Sequence, residues 1–210
     1  RRQRQMCIRD RHLIEIEPLF AAFSEQLAPL FQNLPFNLAE ENLQARIRGT
    51  LLMAVSNKFG HILLNTTNKS EAAVGYGTLY GDMNGGLSIL GDLYKLEVYD
   101  LARYINHDKE IIPLNSIEKA PSAELRPGQK DSDSLPEYDI LDQILYQYIE
   151  LRKGPDAIIH QGFDEATVKK VLKMVNTTEY KRHQTPPILR VSSKAFGTGR
   201  RMPIVGKYLA

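Results

Sequence analysis

The sequence predicts an α/β fold with a helical C-terminal portion, on two observations. A short apolar run, His61-Ile62-Leu63-Leu64-Asn65, stands between stretches of helical periodicity and ends in polar residues. That is the pattern of a buried parallel strand running into a functional loop. Downstream, residues 138–151 and 164–175 carry apolar positions at helical spacing. Helix, strand and helix in that order, followed by further helices, argue for a parallel sheet with flanking helices.

Taken in order, the first eleven residues, RRQRQMCIRDR, are charged and lack either period, and the pattern changes abruptly at Leu13. Residues 6–11 resemble a translation of the transposon-end adapter used in sequencing libraries. Residues 1–12 are therefore expected to be non-native and are set aside, and 13–210 are read as the domain. The competing reading of such a run is a basic nucleic-acid-binding arm. The alternation Ile14-Glu15-Ile16-Glu17 predicts a short strand closed by Pro18. Residues 19–30 read as a helix, with a break at Pro35. Residues 38–58 read as an amphipathic helix with Leu43, Ile47, Leu51, Ala54 and Val55 on its buried stripe and Gly60 as a left-handed cap. After the strand, Asn68 or Ser70 caps a helix over 71–76. A glycine-rich segment follows. Residues 94–107 form a helix with Leu96, Tyr99, Leu101 and Ile105 inward, and 115–136, rich in proline, serine and charge, form a long loop or lid. The tail from Thr185 is irregular.

Composition bounds the partners. Of 210 residues, 42% are apolar and 25% charged, as in ordinary globular chains, and the net charge of +2 is too small to argue for nucleic acid. The basic last third suits phosphate on a small nucleotide as well as on a polymer. No apolar run approaches a membrane span. The one cysteine, Cys7, excludes an internal disulfide and a cysteine-based zinc site.

Four segments carry chemistry. Asn42, Arg46 and Gly49 share a helix face that is polar and then bare, suited to a ligand lying against it; a solvated face with a Glu–Arg pair is the alternative. The loop Asn65-Thr66-Thr67-Asn68-Lys69-Ser70-Glu71 follows a buried strand, where open α/β sheets bind ligands. There Thr66 could bond a purine or its ribose and Glu71 could hold Mg²⁺ beside phosphate oxygens, while a helix cap with a first-turn acid explains the same residues. In the mobile stretch 119–133, Ser122 could lie near a metal and Lys119 or Lys130 on phosphate. Glu179-Tyr180-Lys181-Arg182-His183-Gln184 makes a cationic patch at a helix end, which the helix dipole also favours. The glycines from Gly75 to Gly86 match neither GxxxxGK[ST] nor GxGxxG. The residue pattern offers no catalytic triad, zinc site or heme site.

Together the strings ENLQARIRGTLLMAVSNKFG, NKSEAAVGYGTLYGDMNGG, EKAPSAELRPGQKDSDSLPEYDILDQIL and EYKRHQTPP resemble the synthetase domain of glutamine-dependent NAD⁺ synthetases, in the family's order from about Ile14 to Pro203. The resemblance implies a partial adenine-nucleotide α-hydrolase-like (Rossmann-like) domain, a cytoplasmic homo-oligomer, and ATP-dependent amidation of deamido-NAD⁺ through an acyl-adenylate. ATP is then a cosubstrate with Mg²⁺, and a glutaminase domain supplies ammonia from glutamine. Carried over by position, Asn42, Glu71 and Lys181 resemble deamido-NAD⁺ contacts and Thr66 an ATP contact. Glu71 and Ser122 are the Mg²⁺ candidates, and Arg46, Asp82, Lys95 and Lys119 are phosphate-facing or charged candidates within matched segments. Two departures stand out: Thr67 replaces a glycine usual in the family, and the SGGxDS pyrophosphate loop, which the family places upstream, is not among these residues. The chain is thus expected to be a fragment of a ligase. The alternatives are a catalytically incompetent nucleotide-binding or oligomerisation fragment, or another ATP-pyrophosphatase amidotransferase such as a relative of GMP synthetase.

Overall fold

A computed structural model describes residues 11–32 and 34–206. Of the segment expected to be non-native, 1–10 lie outside the described residues. Helix α1 (Glu17–Phe31) and helix α2 (Leu38–Phe59) come first, and α2 opens on a capping box in which Asn37 and Glu40 satisfy each other's backbone donors. Strand β1 (Leu64–Asn65) and helix α3 (Lys69–Val74) follow, then strand β2 (Leu87–Ser88) and helix α4 (Lys95–Ile105). The helices α5 (Leu114–Glu118), α6 (Tyr138–Ile149), α7 (Pro155–Ile159), α8 (Glu165–Thr177) and α9 (Glu179–Arg182) complete the order, with a 3₁₀ turn at Asp131–Asp133.

The sheet is parallel, as the sequence predicts: β1 pairs with β2 in the register Leu64 to Leu87 and Asn65 to Ser88. Ser88 continues the pairing to Ile188, so the tail adds a third, one-residue edge. Helices precede, separate and follow the two strands along the chain, and the fold is α/β with a helical C-terminal portion.

The core lies where α6 meets α8, α3 and α7. Leu141, Ile144, Leu145, Ile158, Val168, Val171, Leu172 and Val175 are fully buried there. Their spacing on α6 and α8 puts them on one face each, and burial of such a face stabilises by about 1.5–3 kcal/mol per side chain.

Several expectations need correction. Residues 14–16 form no strand; Glu17 and Pro18 instead open α1, where proline's missing donor costs nothing. Of the stripe expected on α2, Ile47 is buried and Leu43 and Leu51 are half-buried, but Ala54 and Val55 face solvent, and Ala45 and Gly49 are buried instead. Helix α4 exists, but it has no buried residue, and Leu96, Leu101 and Ile105 are exposed. The strand at 61–65 shrinks to two residues, paired on one edge by β2, and Ile62 and Leu64 are exposed rather than buried. The lid contains α5 and the 3₁₀ turn, and α7 is an element the periodicity did not predict. No helix among the described residues is long and apolar enough to cross a membrane.

Candidate functional site

Strand β1 delivers Asn65 to the floor of the site. Its side-chain amide donates to the carbonyls of Asp82 (2.8 Å) and Asn84 (3.1 Å), and its carbonyl oxygen accepts from the Thr67 amide (3.1 Å). One buried asparagine thereby fixes the strand-end loop against the glycine-rich segment. Thr67, where the family favours glycine, is not among the non-glycine residues with positive φ, so this backbone accommodates the side chain.

Asn68 caps α3, accepting from the Glu71 amide (2.9 Å) while the Glu71 carboxylate accepts from the Asn68 amide (3.0 Å). Lys69, the next residue, is fully buried. Its ammonium donates to Asp92 (2.8 Å), Glu150 (2.5 Å) and Ser192 (3.0 Å) and lies 5.1 Å from the Tyr94 ring centroid. Burial pushes the Asp92 carboxyl up, but the Lys69 hydrogen bond and the Val191 and Ser192 donors hold it below the usual range. The ammonium of the strand-end loop is therefore structural. Ser70 is equally buried and donates to Asp142.

The loop 77–86 packs directly on α2. A Cβ on Gly49 would lie 2.9 Å from the carbonyl oxygens of Tyr80 and Gly81, and one on Gly81 would lie 2.9 Å from the backbone of Ala45. Only glycine at both positions permits this approach. It brings Asn42 to Thr78, whose hydroxyl donates to the Asn42 carbonyl at 2.7 Å. Arg46 donates to the Leu79 carbonyl (3.3 Å) on the exposed side of the same helix.

From the other direction, α9 presents Lys181, which donates to the carbonyls of Gly75 and Gly77, both at 2.7 Å. Burial lowers its pKa, and the nearby Asp82 charge partly opposes that. Its neighbour Arg182 is buried and staples the carbonyls of Ala72, Ala73 and Val175 to Glu179, so the cationic patch divides into one ligand-accessible and one structural residue.

These elements enclose a cavity of about 640 Å³. Asn42, Thr66, Asp82 and Lys181 line it together, with Asn65 and Thr78 between them. Arg48 lines it too, a residue sequence reasoning passed over; it falls on the helical spacing Leu38, Glu41, Ala45, Arg48, Leu52 that faces the cavity, and that spacing was the available signal. Arg46 does not line it. The lid closes one side with Ala123, Glu124, Leu125 and Gln129, and Gln44 of α2 donates to the Leu125 carbonyl at 3.1 Å.

Lys95, Lys119 and Ser122 line a neighbouring cavity of about 400 Å³ instead. Glu71 faces that side, its carboxylate 3.6 Å from the Lys95 ammonium. Burial raises the Glu71 pKa, against the opposing pull of Lys95. No group of three or more His, Cys, Asp or Glu capable of holding a metal exists among the described residues. What the chain offers Mg²⁺ is the Glu71 carboxylate and the Ser122 hydroxyl, which fits a cation that keeps waters and takes most of its ligands from substrate phosphates.

An asparagine on a helix face, a strand-end loop and a lysine converge on one cavity beside a parallel sheet, the arrangement in which α/β proteins bind nucleotides. The NAD synthase family model matches residues 4–185, and the chain belongs to that family. It is 55% identical over 191 residues to a glutamine-dependent NAD(+) synthetase of Synechocystis, covering 91% of this chain and 34% of that protein. The fold is similar to an Acinetobacter baumannii glutamine-dependent NAD⁺ synthetase solved with ADP, at 47% identity and TM-score 0.50 over 93% of this chain and 35% of that one. It is also similar to the NMN synthetase of Francisella tularensis, at 26% identity and TM-score 0.65 over 81% and 63% of the two chains. The chain spans about a third of the length of the curated relative it matches.

Proposed function

We propose that residues 13–210 form the substrate-facing part of the synthetase domain of a glutamine-dependent NAD⁺ synthetase. The observation that carries this reading is the convergence of Asn42, Thr66, Asp82 and Lys181 on one cavity in a chain of the NAD synthase family. The reaction is ATP-dependent conversion of deamido-NAD⁺ to NAD⁺. Hydroxide leaves poorly from a carboxylate, so ammonia cannot displace it directly. Attack of the nicotinate carboxylate on the α-phosphorus of ATP releases pyrophosphate and gives an acyl-adenylate; ammonia then expels AMP.

The residues of this chain bind and orient. Asn42 and Lys181 hold the dinucleotide between α2 and α9, with Glu71 as a third contact. Thr66, at the end of β1, meets ATP. Arg48 adds a cation at the cavity wall for phosphate, and Lys95, Lys119 and Arg46 are weaker phosphate candidates. Mg²⁺ would be held by Glu71 and Ser122 and would neutralise phosphate charge when bound. Positioning and charge neutralisation are the terms such a site supplies. The whole protein takes ammonia from glutamine through a further domain and works as a cytoplasmic homo-oligomer.

Calorimetry of the chain with deamido-NAD⁺ tests this. Binding is expected in the wild type and weakened about tenfold or more in Lys181→Met, a loss of one charge-assisted contact. Equal binding by both proteins, or none by the wild type, sinks the assignment.

A further inference from the structure

Thr78 sits in the loop that packs on α2, and it is 7% exposed. Its backbone is held on both sides: the amide donates to Asp82 Oδ1 at 2.8 Å, and the carbonyl accepts from the Gly81 amide at 3.1 Å. A β-branched side chain on a fixed backbone has little freedom at χ1, so its hydroxyl has a set place. That place is against Asn42, 36 positions away in the sequence, whose Oδ1 accepts the hydroxyl proton at 2.7 Å.

The bond decides what Asn42 can offer. An asparagine side chain carries one carbonyl acceptor and an NH₂ group with two donors. Thr78 takes the carbonyl. The Nδ2 group bonds nothing among the described residues and is not a buried unpaired atom, so its hydrogens are left to what occupies the 640 Å³ cavity that Asn42 lines. With the amide reversed, the buried Thr78 hydroxyl would lose the acceptor of its proton, which disfavours that orientation. Lys181, from the opposite side, gives hydrogens to the Gly75 and Gly77 carbonyls and keeps one N–H of its three.

We propose that Thr78 is a positioning residue: it turns the Asn42 amide so that this wall of the cavity selects an oxygen acceptor on the dinucleotide. The ligand's identity rests on the amidation reading above; the hold of Thr78 on Asn42 does not.

Calorimetry of the chain with deamido-NAD⁺ tests it. Thr78→Val keeps the shape and removes the hydroxyl, and should weaken binding about fivefold, the worth of one neutral hydrogen bond. Thr78→Ser returns the hydroxyl and should restore affinity to within about twofold of the wild type. Asn42→Asp keeps the oxygen to which Thr78 donates but removes both N–H donors, and should weaken binding about tenfold or more. In an Asn42→Ala background Thr78→Val should change affinity no further, because a positioning residue acts only through its partner. A loop merely loosened by the lost hydroxyl would weaken binding equally in both backgrounds. That additive loss overturns the proposal, as does wild-type affinity in Thr78→Val or in Asn42→Asp. Asn42→Asp, at a half-buried helix position, carries the decision where Thr78→Val does not fold. A wild type that binds no deamido-NAD⁺ sinks the synthetase reading, and the side-chain amide resonances of Asn42 then decide the positioning. They should shift in Thr78→Val and stay near their wild-type place in Thr78→Ser; unmoved resonances in Thr78→Val overturn it.

Discussion

Helices α6 and α1 both carry apolar residues at helical spacing, yet they end in opposite environments. On α6, Leu141, Ile144 and Leu145 are wholly buried against α3 and α8. On α1, none of the residues is buried; Phe23 is 49% exposed and Leu30 73%. The same contrast runs through α2, whose N-terminal half packs on the glycine loop while Leu52, Val55 and Phe59 near its end face solvent. Amphipathicity states which face is apolar. Whether that face is buried depends on what lies opposite, and α1 has only α2 opposite it among the described residues.

The difference can be broken by substitution. The largest effect is expected at Lys69, which belongs to the buried side. Lys69→Met leaves the buried Asp92 and the half-buried Glu150 without their cation and should cost about 3–5 kcal/mol in urea unfolding, because an uncompensated charge remains at Asp92. A loss under 1 kcal/mol would show that water reaches these carboxylates. Next come the paired truncations Leu145→Ala and Phe23→Ala. The first should cost about 2–5 kcal/mol and the second less than about 0.5 kcal/mol. Similar losses at both would mean that α1 is covered in solution.

The smallest effect sharpens the comparison at the site. The Glu71 pKa is raised above 4.5 by burial, so the folded state favours its protonated form. For a carboxyl with that sign, the stabilising contribution is full below the unfolded value and is lost as pH rises through the folded value. Glu71→Gln keeps a capping acceptor and removes the charge. Its melting temperature should therefore exceed the wild type's at pH 7 and converge on it below about pH 4.5, the ordinary value from which the shift starts. A gap that stays constant across that range would show that desolvation of the carboxylate is not the cause.

The parts of the molecule readable from sequence are those set by local rules. The periodicity of α6 and α8, the Asn68 cap and the parallel strand at Leu64 depend on neighbours within one or two turns. Asn42, Thr66 and Lys181 could be named together from motif order, and the fold sets all three on the cavity wall, whereas Glu71, named with them, is not part of that wall. The structural role of Lys69 was not legible, because two of its partners, Glu150 and Ser192, lie 81 and 123 residues away. Asp131 looked like any acid in a serine-rich loop, since only the fold turns it toward Tyr138. The strand expected at 14–17 failed because alternation over four residues is also the opening of a helix that begins at Glu17 with proline next.

The buried Lys69 has a consequence for how a ligand meets this site. It sits at the first residue of α3, between the Asn68 cap and the residues that follow it, and ties that turn to α6 and the tail. The turn cannot fray independently of the core. Any ligand that approaches this turn meets atoms already held in place, so little affinity is lost to ordering them. The ordering cost falls instead on the lid, which rests on α2 through Gln44 and Arg126. Changes in the lid sequence are thus the route by which affinity and exchange rate can be tuned without disturbing the floor of the site.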